Sequence, residues 1–169
     1  SWNDAISFCK KLTAREQNAG RLPSGYKYSL PTEAQWEYAC RAGTSTATHY
    51  GNSLSSYQAN FNGNYPYNGG GKGSYKKSTV RVGSYSSNNF GLYDMHGNVW
   101  EWCSDRYGKY PSSSVTDPSG DIAGSKRVRR GGSWYNNGRN CRSALRNRYS
   151  PSYSNELLGF RVAVVLSKP

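Results

Sequence analysis

An α+β domain is what this sequence predicts, on three observations. Two stretches near its start carry helical spacing of apolar residues, three short segments after residue 97 read as strands, and Gly- and Tyr-rich sequence without periodicity fills much of the rest. Only 35% of the residues are hydrophobic, against 19 Gly, 15 Tyr and 5 Trp. Such a chain folds around loops, with Tyr and Trp supplying the area that aliphatic side chains normally provide.

The first helix is expected from Asn3 to about Gln17, where Ala5, Ile6, Cys9 and Leu12 share a face behind an Asn3 cap. The second is signalled by its start. Pro31 precedes Thr32, which forms a Thr-x-x-Gln capping box with Gln35, Trp36, Ala39 and Cys40 share a face, and Gly43 is placed to end it. Between Thr44 and Asn89 only Thr79 to Val82 reads as a strand, so this is a long surface loop whose aromatics still pack. Asn98 to Cys103, Arg127 to Trp134 and Gly159 to Leu166 have strand character. In the first of these, Trp100 and Trp102 alternate with Glu101, placing the two rings on one face. There is no internal repeat.

At 169 residues one core is the default, so a single domain over 1–169 is expected. No run approaches the roughly 18 apolar residues of a membrane span, and the opening Ser1-Trp2-Asn3-Asp4 is no signal peptide. Cys9, Cys40, Cys103 and Cys141 lie far apart without a CxxC pair, which argues against structural zinc and for buried, reduced thiols; a disulfide stays open if the protein is exported. The formal charge of +12 would attract polyanions, yet Lys and Arg are scattered, so no specific nucleic-acid partner is expected. Only Lys126 to Arg130 forms a cluster, read as a strand with one charged face.

Four stretches carry a family resemblance: Leu30 to Ala39, Gly91 to Trp102, Arg130-Gly131-Gly132-Ser133-Trp134, and Gly159-Phe160-Arg161-Val162. In this order they resemble the formylglycine-generating-enzyme (sulfatase-modifying factor) family, from Ser1 to about Val165. The resemblance implies a C-type-lectin-like fold with long loops and short antiparallel strands, and the family's opening strands before the Ser-Trp-Asn-Asp stretch are not in this sequence. It also implies a test of activity. Family oxidases bind copper with two cysteines a few residues apart after the Gly-Gly-Ser-aromatic motif, because a cuprous ion needs soft thiolates. Here that segment holds Cys141 alone, so no copper and no enzyme are expected. His49 and His96 are the only histidines, which leaves neither a non-haem iron site nor a hydrolytic triad, and no carboxylate pair is spaced for acid–base work.

The segment after Trp134 is therefore read for binding. From Ser133 to Leu158, five Ser, five Asn, four Arg and three Tyr make seventeen of twenty-six residues, close to an antibody paratope. Asn-rich tracts framed by Gly-Gly-Ser-Trp and Leu-Gly-Phe-Arg, with Cys141-Arg142-Ser143-Ala144 between, are similar to variable regions of proteins diversified by retroelements that mutate adenines. That resemblance marks 130–161 as a variable region. It implies Tyr135, Asn136, Gly138, Arg139, Leu145, Asn147, Arg148, Tyr149, Ser152, Tyr153 and Ser154 as contact residues for a protein or other macromolecular ligand, with Leu145 equally suited to packing. Arg142, Arg146 and Arg161 match framework positions. A cell-surface or phage-surface, extracellular location follows from that role.

Family members also hold calcium in the Gly-Leu-Tyr-Asp…Trp-Glu-Trp motif, which implies Asp94 and Glu101 as carboxylate ligands and Gly97 and Val99 as carbonyl donors. Asp94 equally suits a turn cap, and Glu101 an arginine partner. A second calcium site is matched at Asn60 and Phe61, but Gly70 to Lys77 replaces its aspartate. No Glu-Pro-Asn or Gln-Pro-Asp triplet supports calcium-dependent sugar binding.

Overall fold

The computed structural model describes residues 1–121 and 123–167, so the single-domain expectation over 1–169 extends two residues past the described end. Helix α1 spans Trp2–Asn18 and α2 spans Glu33–Arg41, with strand β1, Tyr26–Ser29, between them. Then follow β2 (Trp100–Arg106), β3 (Arg127–Arg130), a 3-10 turn (Gly138–Cys141), β4 (Asn147–Tyr149), β5 (Leu158–Gly159) and β6 (Ala163–Leu166). This is the expected α+β architecture.

The capping chemistry of α2 is as read from the sequence: the Thr32 hydroxyl accepts from Gln35 N–H, and the Gln35 side chain accepts from Thr32 N–H. Ala42 ends the helix in the left-handed region, with Gly43 following at positive φ. Helix α1 begins one residue earlier than expected. Its cap is Ser1, whose hydroxyl accepts from Asp4 N–H, so Asn3 lies inside the helix.

Two sheets form. Strands β1 and β6 pair antiparallel, while the second sheet has the order β4-β3-β2-β5, antiparallel except for the short parallel β2–β5 pair. No strand forms at Thr79 to Val82. There Val80 N–H donates to Asn98 Oδ1 and Gly83 N–H to Asp94 Oδ2, so side chains take the place of a neighbouring strand.

Strand β2 is buried on both faces rather than one: Trp100, Glu101, Trp102 and Cys103 all lie inside. Trp102 packs with Ala5, Cys9 and Leu30 under α1, and Cys103 packs with Trp36, Cys40, Met95 and Val128 under α2. A third cluster, Leu54, Ala59, Phe61 and Cys141, lets the long loop close over the rest.

The charged strand departs furthest from expectation. Arg127 and Arg129 lie on one face, over Trp2 at 3.8 Å and Trp100 at 4.8 Å, whereas Arg130 points inward beside Val128 and is 0% exposed. Its Nη2 donates to Glu37 and, at 2.7 Å, to Ser143 O; Nη1 lies 3.4 Å from Glu33 Oε1, an ion pair without hydrogen-bond geometry. Removing one partner of a buried ion pair leaves uncompensated charge, so Arg130→Ala is expected to cost about 3–5 kcal/mol of unfolding free energy in chemical denaturation. A loss below about 1 kcal/mol would mean that Arg41 and Arg146 neutralise Glu37 and Glu33 alone.

Candidate ligand-binding face

Leaving β3, the chain turns through Gly131 and Gly132, both at positive φ. A Cβ on Gly132 would sit 2.6 Å from Cys141 Sγ, so only glycine lets the following segment fold back on itself. Gly97 N–H then bonds to Gly131 O, and Trp134 N–H to Asn98 O. Further along, Cys141 and Ser143 are fully buried, and Ser143 N–H bonds to Ala47 O. Arg146 closes the frame by donating to both Glu33 oxygens, at 2.7 and 2.6 Å, and to Gly108 O at 2.9 Å.

His96 supports this frame from below. Its Nδ1 stands 2.6 Å from Cys141 O and its Nε2 accepts from His49 N–H, which fixes the neutral tautomer with the proton on Nδ1. Burial, with stacked His49 adding to it, pushes its pKa down to about 3. The unfolded value lies near 6.5, so the stability His96 contributes is present above that pH and is lost as pH falls toward about 3. His49, shifted down by burial, acts in the same direction. Unfolding measured against pH should show this loss, and His96→Asn, which keeps a donor near the Nδ1 position, should flatten part of it. Equal slopes for the two proteins would place the acid sensitivity elsewhere.

The sequence-derived contact residues divide by exposure. Tyr135, Arg139, Arg148, Tyr149, Ser152, Tyr153 and Ser154 are exposed, and Asn136, Leu145 and Asn147 are partly buried. Gly138 departs from expectation: it is buried, and a Cβ there would meet Tyr67 N at 2.9 Å and Phe61 Cε2 at 3.2 Å. It is a packing point.

The exposed aromatic members form two patches rather than one. In the first, Tyr135 stands edge-on to Trp134 with ring centres 5.9 Å apart, and Tyr75 of the long loop stacks on the same indole at 6.3 Å. Asn136, next in the chain, accepts from Ser133 Oγ through its Oδ1. In the second, Tyr149 and Tyr153 stack at 4.0 Å, with the Arg129 guanidinium over Tyr149. Arg148 alternates to the other face of β4 and lies over Tyr107. Tyr75 and Arg129 were not among the sequence-derived contacts. Nothing in residues 130–161 points to them, and only their positions after folding do.

The calcium motif is arranged differently from the implied ligand set. Glu101 is buried, and its carboxylate accepts from Arg161 Nε at 2.5 Å and Nη2 at 2.7 Å, and from Trp36 Nε1 at 2.7 Å. Asp94 Oδ2 accepts from Gly83 N–H. A cation there would have to displace the Arg161 fork, so the donors do not fit calcium as they stand. Gly97 and Val99 follow the chain between these two carboxylates. Framework roles are clear for Arg146 and Arg161, while Arg142 donates to Arg139 O and lies 5.6 Å from the Tyr67 ring centre.

Thiol chemistry is equally constrained. Cys141 has no second thiol in its segment, is fully buried, and has its pKa pushed up to about 12 by burial, with the nearby Cys40 raising it further. That is a poor ligand for copper. Among the described residues no three His, Cys, Asp or Glu side chains are grouped to hold a metal.

The fold and this face define a lectin-like α+β domain that carries a polar, aromatic surface on an arginine-pinned frame. The chain belongs to the sulfatase-modifying factor family: residues 1–166 match the model of the sulfatase-modifying factor enzyme 1-like domain. It is 36% identical over 172 residues to the formylglycine-generating enzyme of Mus musculus, covering 96% of this chain and 42% of that protein. Its span is thus less than half the length of that relative. Among solved structures, Treponema denticola variable protein 1 superposes with a TM-score of 0.79 at 26% identity, over 98% of this chain and 69% of that one. PvdO from Pseudomonas aeruginosa superposes with a TM-score of 0.76 at 27% identity, over 96% and 59% respectively.

Burial separates the frame from the face experimentally. Gly138→Ala should lower stability by roughly 1–3 kcal/mol, as overpacking does, whereas Tyr135→Ala should stay within about 0.5 kcal/mol. Thermal denaturation of the two variants checks this, and equal effects would put Gly138 at the surface.

Proposed function

We propose that this chain is a non-catalytic ligand-binding protein, in which a lectin-like scaffold displays a surface diversified by a retroelement. The observation that carries the reading is the division within 130–161. Arg130, Gly132, Ser133, Gly138, Cys141, Ser143 and Arg146 are buried or committed to the frame, while Tyr135, Arg139, Tyr149, Ser152, Tyr153 and Ser154 project outward. A segment so divided can change its surface without changing its fold. The likeness to Treponema denticola variable protein 1 supports the same reading. The ligand is a macromolecule bound noncovalently, Tyr supplying rigid amphipathic area and Ser and Asn adaptable hydrogen bonds. Such a protein works where it meets its ligand, at a cell or phage surface. No helix among the described residues is long and apolar enough to cross a membrane.

A second reading, oxidation of a sulfatase cysteine to formylglycine, is favoured by the identity to the mouse enzyme. It is opposed by the single, sealed thiol in the segment where that chemistry needs two.

The deciding experiment is to sequence the DNA flanking the gene. The proposal expects a near-identical, Asn-rich repeat of codons 130–161 beside a reverse transcriptase gene, with differences confined to template adenines. Absence of both, together with copper-dependent turnover of a Cys-x-Pro-x-Arg peptide, would establish the oxidase instead.

A further inference from the structure

All ten Asp and Glu residues lie outside two long stretches: there is none between Glu37 and Asp94, and none between Asp121 and Glu156. The fold brings these two stretches together. Asn62 N–H donates to Asn136 O and Gly138 N–H to Tyr65 O, each at 2.9 Å, and Gly138 packs against Phe61. Gly73 N–H bonds to Gly63 O, which ties down the Lys72–Lys77 stretch and sets Tyr75 onto Trp134. The result is a junction at which Lys72, Lys76 and Lys77 from one stretch and Arg139 from the other are all exposed, in the same two stretches that meet at the Tyr75–Trp134–Tyr135 group. Every salt bridge among the described residues uses other cations.

We infer that this face, including the Lys72–Lys77 stretch outside the variable region, docks an acidic protein surface. The inference rests on the ligand-binding reading and names the partner's chemistry. Four exposed cations, in stretches that hold no carboxylate and outside every salt bridge among the described residues, steer an acidic partner and repel a basic one. The aromatic group gives the apolar centre that such a rim needs, and Arg139 presents the planar fork that suits a carboxylate. A nucleic acid fits less well, because single strands bind by stacking bases on open rings. Here Trp134 is already stacked with Tyr75 and in T-shaped contact with Tyr135, and is only partly exposed.

The test uses immobilised poly-L-glutamate, poly-L-glutamine and oligothymidylate, with the intact chain and two charge-reversed variants in solution. K72E/K76E/K77E alters this face; K10E/K11E/K27E carries the same net charge change on exposed lysines of α1 and β1. The expected result is binding to poly-L-glutamate that weakens with salt, falls about tenfold in the first variant and stays within about twofold in the second. Immobilised poly-L-glutamine should not retain the chain. Three results would overturn the inference: no binding of poly-L-glutamate, equal losses in the two variants, or oligothymidylate bound as tightly as poly-L-glutamate. None of these bears on whether a template repeat flanks the gene, so the acidic-partner inference and the variable-protein reading fail separately.

Discussion

The buried guanidinium of Arg130 is the constraint on which the rest of the domain depends. A charge taken out of water is tolerable only where counter-charge and acceptors surround it, and here they come from three separate places. Helix α2 sends Glu33 and Glu37, the segment after β3 sends Ser143 O, and the Trp36 ring lies 5.4 Å away. Glu33 is held in turn by Arg146, and its own N–H by Asp105 of β2. A helix, two strands and the segment after β3 are thus fastened at one point, and none can shift without exposing or orphaning a charge.

The pair Glu101 and Arg161 repeats this arrangement on the other side of Trp36. The indole N–H donates to Glu101, Arg161 grips the same carboxylate, and Arg161 Nη2 also donates to Tyr93 O. The signature residues of the family are therefore spent on holding loops in place. In a domain with so little regular structure, polar clamps do what long ladders do elsewhere, and this leaves the outward-facing side chains free of structural duty.

How far this could be read from sequence varied with the physical source of each feature. Helix α2 was legible because a capping box is a local device written in adjacent residues. Strands β1 and β4 were not, being three or four residues long and fixed by partners far along the chain. Thr79 to Val82 has strand-like composition, but the side chains of Asn98 and Asp94 take up its N–H groups. At the candidate site, composition pointed to a segment most of whose named residues are exposed, yet Gly138 turned out to face Phe61 and Tyr67. Arg130 was legible as charged and not as buried, because its carboxylates come from a helix ninety-three residues earlier in the chain.

The four cysteines are unbonded and buried, and burial pushes the thiols up, to about 12 for Cys40 and Cys141. They neither crosslink nor offer thiolate to oxidants or metals at neutral pH. The packing of the domain therefore depends on no disulfide. A domain built this way needs no disulfide-forming machinery to reach its fold, whichever side chains its outward-facing positions carry.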